Sequence, residues 1–181
     1  MLNRELQNKI SLVKQNKDYS ILPPYTAEVS DTVKAVSDIM LNNPEAIFIS
    51  DVGNNMYITA RAYAYSLAEN HLYYSKNFAP LGCAVPKAIG AYYATKKPIL
   101  CFVGDQGLLF NIQELHYIAQ HKLPITIILL NNHESGMIAG DEIRRELSPL
   151  HTTAESGYLS PNYSSLKNAF GVEIVEIRYK E

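Results

Sequence analysis

The sequence has few of the features that mark secreted, membrane and disulfide-stabilised proteins. It contains only two cysteines in 181 residues, Cys83 and Cys101. Both lie in apolar stretches, and we interpret them as free thiols of a cytoplasmic protein, because two cysteines cannot form a disulfide scaffold. The longest strongly apolar runs, residues 99–103 and 125–130, are far shorter than the ~18 residues that a membrane span needs. Residues 1–20 are polar and basic, which does not predict a secretory signal.

The sequence also lacks an excess of positive charge. Lysine and arginine total 16 against 18 aspartates and glutamates, so the formal net charge is -2. This balance gives no electrostatic support for a nucleic-acid partner. Hydrophobic residues make up 47% of the chain and charged residues 19%, which is typical of a protein with a folded apolar core. We therefore expect a cytoplasmic α/β protein with neither a membrane nor a nucleic acid as partner.

Apolar runs alternate with stretches of helical periodicity along most of the chain. Residues 46–50, 98–103 and 124–130 are continuous apolar runs and predict strands that are buried on both sides. Such strands, separated by helices, predict an α/β fold of three layers, a parallel sheet with helices on both faces. We expect residues 1–24 to be an N-terminal docking or linker segment and residues 25–181 to be one domain.

The remaining elements follow from periodicity and from glycine and proline positions. Predicted helices cover residues 31–41, 55–68, 81–95, 112–121 and 163–170, and predicted short strands cover residues 71–75 and 172–177. Residues 135–160 are predicted to be irregular or partly helical.

A polar cluster follows each of the three buried strands. The clusters lie at residues 51–55, 104–107 and 131–136. In parallel sheets, ligands bind beyond the carboxyl ends of the strands, and these ends share one edge. The three clusters therefore predict a single binding site at that edge.

Two residues of these clusters suggest a metal ion. Gly104 permits a tight turn after its strand, which suits a phosphate group at the following helix. Asp105 would repel that phosphate unless a divalent cation lay between them, and Asn132 offers a carbonyl oxygen of the kind that Mg²⁺ binds. Either residue alone is better explained as a helix cap. The pair favours a magnesium ion that bridges the protein to a diphosphate.

The stretch from Gly104 to Met137 reads GDQGLLFNIQELHYIAQHKLPITIILLNNHESGM. It resembles the thiamine-diphosphate-binding domain of the acetolactate synthase and pyruvate decarboxylase group. The signature of that group is Gly-Asp-Gly followed, after about 25–30 residues, by Asn-Asn at the next strand end. The resemblance extends over about residues 25–178 and implies the thiamine-diphosphate-binding fold.

The resemblance implies a role for individual residues. Mg²⁺ would be bound by the side chains of Asp105 and Asn132 and by the backbone carbonyl of Glu134. The Ala79 carbonyl would accept a hydrogen bond from the aminopyrimidine, and Leu81 would support the bent form of the cofactor. The cofactor-binding residues implied in this way are Gly53, Asn54, Asn55, Ala79, Leu81, Gly104, Asp105, Gln106, Gly107, Asn132, Gly136 and Met137. Leu81 could instead serve helix-start packing, and Met137 could be a core residue.

The sequence departs from the pattern of the group at several points, among them Gln106, Asn55, and Ala79 with Pro80, which replace a small flexible pair. Gln106 stands where the group has glycine, and Asn55 replaces a histidine. The glutamate that activates the cofactor in this group lies on a pyrimidine domain, and no motif of such a domain is present, so no catalytic residue is assigned in this chain.

We therefore expect the cofactor subunit of a split decarboxylase or carboligase that acts on 2-keto acids, in a hetero-oligomer with a pyrimidine-domain subunit. The alternative is a non-catalytic thiamine-diphosphate-domain protein with a role in assembly or regulation.

Overall fold

The computed structural model describes residues 30–66, 68–75 and 77–179 of the chain. The chain forms two compact units, Met1–Pro44 with Ile58–Glu69, and Glu45–Tyr57 with Asn70–Glu181. The predicted boundary between residues 24 and 25 lies outside the described residues. None of the helices within the described part of the chain is long and apolar enough to cross a membrane.

The described part of the first unit contains helix α1, Asp31–Leu41, and most of helix α2, Asn54–Ser66. Helix α1 begins where the sequence predicts, because the Ser30 hydroxyl accepts a hydrogen bond from the Val33 amide at 3.3 Å. The buried residues Val33 and Met40 lie on its apolar face.

The second unit is built on a parallel sheet of five strands. These are β1 (Ile47–Ser50), β2 (Leu72–Tyr73), β3 (Ile99–Gly104), β4 (Ile125–Asn131) and β5 (Ile174–Arg178), in the order β2-β1-β3-β4-β5. All four strand pairs are parallel. The predicted α/β class and parallel sheet are confirmed.

Both faces of the sheet are buried. Ile49, Cys101 and Leu129 belong to the core cluster, which also includes residues of the surrounding helices. The strand residues of opposite parity are buried as well, among them Phe48 and Phe102, whose rings meet edge to face at 6.1 Å. This double burial explains why the strands read as continuous apolar runs rather than alternating ones.

Five further helices belong to the second unit. They are α3 (Ala84–Thr95), α4 (Asp105–Phe110), α5 (Glu114–Gln120), α6 (Gly136–Arg144) and α7 (Ser164–Phe170). Helix α3 begins later than predicted, because Ala79 and Gly82 have φ values of 41° and 84°, which a right-handed helix cannot contain. Helix α4 begins directly after Gly104, where a helix was expected to open, although the predicted helix range began only at residue 112. Helix α6 occupies part of the stretch that was predicted to be irregular or partly helical.

The strand order reverses between β1 and β3. The chain passes from β1 to β2 on one side and then returns to place β3 on the other side of β1. In open parallel sheets, this reversal opens a crevice at the carboxyl ends of the two strands, where ligands bind. The segments that follow β1 and β3 are two of the three predicted polar clusters.

The central strands should dominate the stability of the sheet unit. We expect Leu129→Ala to lower the free energy of unfolding by about 2–5 kcal/mol, because Leu129 is fully buried (0% exposed) in β4. The same truncation at Leu159, which is 87% exposed, should change it by no more than about 0.5 kcal/mol. Urea denaturation followed by circular dichroism measures both values, and equal losses would contradict this view of the core.

Candidate functional site

The three predicted polar clusters meet at one edge of the sheet. Gly104 at the end of β3 is in register with Leu130 near the end of β4. The amide of Asp51, just after β1, donates to the carbonyl of Phe102 in β3 at 2.8 Å. The segments after β1, β3 and β4 therefore leave the sheet side by side, as the sequence predicts.

Asp51 joins two of these segments to the stretch before α3. Its side chain is fully buried (0% exposed), and its Oδ2 atom accepts a hydrogen bond from the Gly82 amide at 2.9 Å. Gly107 in α4 lies so close that a Cβ there would be 2.1 Å from the same oxygen. Burial raises the pKa of Asp51, and hydrogen bonds from the Val52 and Gly82 amides oppose this shift. Asp51 is thus a connecting residue that sequence reasoning left out of the site.

Cys83 lies in polar surroundings, contrary to the expectation from its neighbours in sequence. Its thiol donates to Asp51 Oδ1 at 3.5 Å and accepts from Lys87 Nζ at 3.2 Å. These contacts arise because the first turn of α3 faces the end of β1. Burial raises the pKa of the Cys83 thiol, so it stays protonated and able to donate. Cys101 is fully buried, and both cysteines are free.

The stretch from Ala79 to Gly82 lies against the Gly-Asp segment. A Cβ at Gly82 would be 2.9 Å from the Gly107 carbonyl oxygen and 2.6 Å from Phe110 Cβ. The Asn111 side chain donates to the Gly82 carbonyl at 2.9 Å and holds the two segments together. The residues predicted to contact the aminopyrimidine therefore adjoin those predicted to bind Mg²⁺.

Asp105 is held by two tyrosines from the segment before α7. The Tyr158 hydroxyl donates to Asp105 Oδ2 at 2.9 Å, and the Tyr163 hydroxyl donates to the Asp105 backbone carbonyl at 2.6 Å. Asp105 is only 3% exposed, and this burial raises its pKa, while the hydrogen bond from Tyr158 lowers it. Burial, followed by the charge of Asp105, raises the pKa of both tyrosines.

The two asparagines after β4 have different surroundings. Asn131 is fully buried, donates to Glu176 Oε1 at 2.7 Å and accepts from the His133 amide at 3.0 Å. Its side chain therefore fixes the turn. Asn132 and Glu134, the predicted metal ligands of this segment, are half-buried.

Gln106 connects the two predicted ligand segments. Its Oε1 atom accepts a hydrogen bond from the hydroxyl of Ser135, a buried residue, at 2.9 Å. The glutamine that replaces the expected glycine therefore ties the segment after β3 to the segment after β4.

Gly53 and Asn55, predicted together, play different parts. Gly53 has φ +72°, and a Cβ there would meet no atom within 4 Å, so its backbone borders open space at the start of α2. The Asn55 amide nitrogen points inward and donates to Ser50 Oγ at 2.9 Å and to the Phe102 carbonyl at 3.0 Å. Its side chain thereby braces the ends of β1 and β3.

The remaining predicted residues border the same edge. A Cβ at Gly104 would touch only the Leu130 carbonyl oxygen, at 3.9 Å. Leu81 is half-buried, and the side chain of Met137, in the first turn of α6, is 45% exposed.

The residues present fit a magnesium diphosphate. Asp105 and Asn132 supply the hard oxygen donors that Mg²⁺ prefers, and Gly53 and Gly104 leave backbone accessible to a phosphate. No cluster of three His, Cys, Asp or Glu side chains suited to a metal exists among the described residues. The predicted magnesium site does not need one, because it uses a single carboxylate together with amide and backbone oxygens.

Comparison with known proteins agrees with this geometry. Residues 51–181 match the model of the family described as thiamine pyrophosphate enzyme, C-terminal TPP binding domain. The chain belongs to this family. The match begins at Asp51, so it includes every predicted site residue.

The chain is similar to acetolactate synthase large subunits. It is 29% identical over 181 residues to that of Lactococcus lactis, a match that covers 93% of this chain and 29% of the relative. It is 30% identical over 133 residues to the isozyme 1 large subunit of Escherichia coli, with 73% of this chain and 23% of the relative covered. A probable large subunit from Methanococcus aeolicus is 30% identical over 143 residues, with coverage of 76% and 23%. The chain thus spans less than a third of the length of these relatives.

The buried carboxylate of Asp51 should make stability depend on pH. Because its pKa is raised in the folded state, the folded protein holds the proton more tightly, and stability falls as the pH rises through that pKa. We therefore expect Asp51→Asn to gain stability relative to the wild type as the pH rises from about 4, the ordinary aspartate value, through the raised pKa of Asp51. Urea denaturation across this range measures the difference, and a difference that is constant or decreases with pH would contradict the assignment.

Proposed function

We propose that this chain binds thiamine diphosphate through Mg²⁺ and is the cofactor-binding part of an enzyme that acts on 2-keto acids. The observation that carries the proposal is the placement of Asp105 and the Asn132 segment at the carboxyl ends of adjacent strands. This placement occurs in a chain of the thiamine pyrophosphate enzyme family. The free thiols are compatible with a cytoplasmic location.

The proposed ligands of Mg²⁺ are the side chains of Asp105 and Asn132 and the backbone carbonyl of Glu134. The open backbone at Gly53 and Gly104 would receive the diphosphate oxygens. The metal neutralises the repulsion between the Asp105 carboxylate and the phosphates, which explains why an acidic residue lies at a phosphate site.

The other end of the cofactor would contact the stretch before α3. The Ala79 carbonyl accepts a hydrogen bond from the aminopyrimidine, and Leu81 holds the cofactor bent by apolar contact. Met137 lies at the start of α6, where its exposed side chain would help to exclude water from the reacting end. When bound, thiamine diphosphate would supply a carbon nucleophile for the decarboxylation of 2-keto acids.

We propose that the activating glutamate comes from a pyrimidine-domain subunit in a hetero-oligomer. The two buried carboxylates at the site are already committed, Asp51 to the Gly82 amide and Asp105 to the metal in this proposal. Large apolar side chains are exposed on segments that border the site, namely Phe78 (93% exposed), Phe110, Met137 and Ile138. Such side chains are typical of a surface that a partner covers.

A non-catalytic role in assembly or regulation is the second candidate. It is favoured by Gln106, whose side chain is placed between the two ligand segments by its bond to Ser135. Both candidates allow cofactor binding, so the activity of the assembled complex distinguishes them.

Cofactor binding should require the metal and its two side-chain ligands. We expect Asp105→Ala and Asn132→Ala each to weaken thiamine diphosphate binding about a hundredfold or more, because Mg²⁺ would lose a direct ligand. Isothermal titration calorimetry in Mg²⁺ measures the affinity, and circular dichroism monitors the fold.

Glu134→Gln is the matched control, since only its backbone carbonyl is proposed to bind the metal. Its affinity should stay within about twofold of the wild type. A large loss in this variant would transfer the role to the Glu134 side chain. Wild-type affinity that is unchanged by excess chelator would contradict the metal site.

Activity should depend on a second chain. We expect the purified chain with thiamine diphosphate and Mg²⁺ to release no carbon dioxide from 2-keto acids, because the glutamate proposed to activate the pyrimidine would be missing. Adding a subunit with a pyrimidine domain from the same source should restore release, as measured by a coupled assay. Decarboxylation by the chain alone would contradict the split site, and a stable, cofactor-loaded complex without activity would favour the second candidate.

A further inference from the structure

Tyr158 contacts Asp105, one of the proposed metal ligands. Its hydroxyl donates to Asp105 Oδ2 at 2.9 Å, across 53 residues of sequence. We infer that Tyr158 is a positioning residue that fixes the orientation of the Asp105 carboxylate for Mg²⁺. The inference rests on the proposed function, and it concerns a residue outside the Gly-Asp and Asn-Asn segments.

The carboxylate and its backbone are held separately. Tyr158 binds the Asp105 side chain, whereas Tyr163 donates to the Asp105 carbonyl at 2.6 Å. Tyr163 is itself 1% exposed and belongs to the core cluster, so it fixes the main chain of Asp105 to the interior. Because the backbone of Asp105 is fixed in this way, only its side chain is left to rotate. The hydrogen bond from the Tyr158 hydroxyl restricts that rotation.

The segment that carries Tyr158 is tied to the other ligand segment. The Thr152 carbonyl accepts from the Ser135 amide at 2.8 Å, and the Thr152 hydroxyl donates to Glu142 Oε2 at 2.6 Å. The Tyr158 amide donates to the Thr153 carbonyl at 2.8 Å, which links the tyrosine to this anchored turn. Tyr158 is thus supported from the segment after β4 while it holds a residue of the segment after β3.

The chemistry favours support of the metal over competition with it. A hydroxyl donor to one oxygen leaves the carboxylate anionic, and each carboxylate needs to give Mg²⁺ only one oxygen. Carboxylates that bind metals are commonly oriented by such hydrogen bonds, and removal of the partner weakens metal binding by about 10–100-fold. A phenol is protonated near neutral pH, so the hydroxyl is able to donate.

The test compares Tyr158→Phe with Tyr73→Phe, which removes a hydroxyl from an exposed tyrosine of β2. Isothermal titration calorimetry measures the Mg²⁺ requirement at a fixed thiamine diphosphate concentration. We expect the Mg²⁺ concentration needed for half-maximal binding to rise at least about tenfold in Tyr158→Phe. It should be the same in Tyr73→Phe as in the wild type. Circular dichroism spectra should be the same in all three proteins, which a general loss of structure would not allow.

An unchanged Mg²⁺ requirement in Tyr158→Phe would overturn the inference. A lower requirement would also overturn it, because it would mean that the hydroxyl competes with the metal. If the wild type itself binds no cofactor, the proposed function fails and the role of Tyr158 in metal binding fails with it.

A second measurement needs neither metal nor cofactor. Tyr158→Phe is made in the wild type and in Asp105→Ala, and the unfolding equilibrium constants are compared as a double-mutant cycle. We expect Tyr158→Phe to raise the unfolding equilibrium constant about fivefold in the wild-type background and to change it little in Asp105→Ala. Equal losses in both backgrounds would show that Tyr158 does not act through Asp105 and would overturn the inference even where cofactor binding is observed.

Discussion

The buried carboxylate of Asp51 connects three parts of the site that are distant in sequence. It accepts hydrogen bonds from the Gly82 amide and the Cys83 thiol. It also lies so close to Gly107 that no side chain would fit at that position. Burial of a carboxylate is costly unless hydrogen bonds compensate for lost hydration, and here the donors come from the stretch before α3. The path of that stretch therefore depends on these bonds to the end of β1, together with the bond from Asn111 to the Gly82 carbonyl.

The fold was predictable because the apolar pattern and the topology point to the same structure. The runs at residues 98–103 and 124–130 became β3 and β4 almost unchanged, since strands covered on both faces need apolar residues at every position. The start of α3 and the extent of α4 were not predictable from local sequence. Gly107 reads as a turn residue by composition, yet it lies inside a helix. The position requires a glycine because any Cβ there would clash with the Asp51 carboxylate.

The candidate site was predictable as a set of segments and less so as a set of side chains. Asn131 and Asn132 are adjacent residues of the same type, and the sequence does not distinguish them. The fold buries Asn131 against Glu176 and leaves Asn132 half-buried. Asn55 shows the same limit, because its amide turns toward Ser50 and Phe102. Tyr158 and Tyr163 carry no local signal, since their contacts with Asp105 span 53 and 58 residues. Such partners follow from the three-dimensional path of the chain rather than from any spacing rule.

The edge strand β2 pairs with β1 through only two residues, Leu72 and Tyr73. A strand so short offers few free amides and carbonyls on its outer side, although exposed strand edges are the usual templates for uncontrolled pairing between chains. Extension of the sheet from this edge is therefore disfavoured. Aggregation through β-pairing at this edge is limited by the backbone itself.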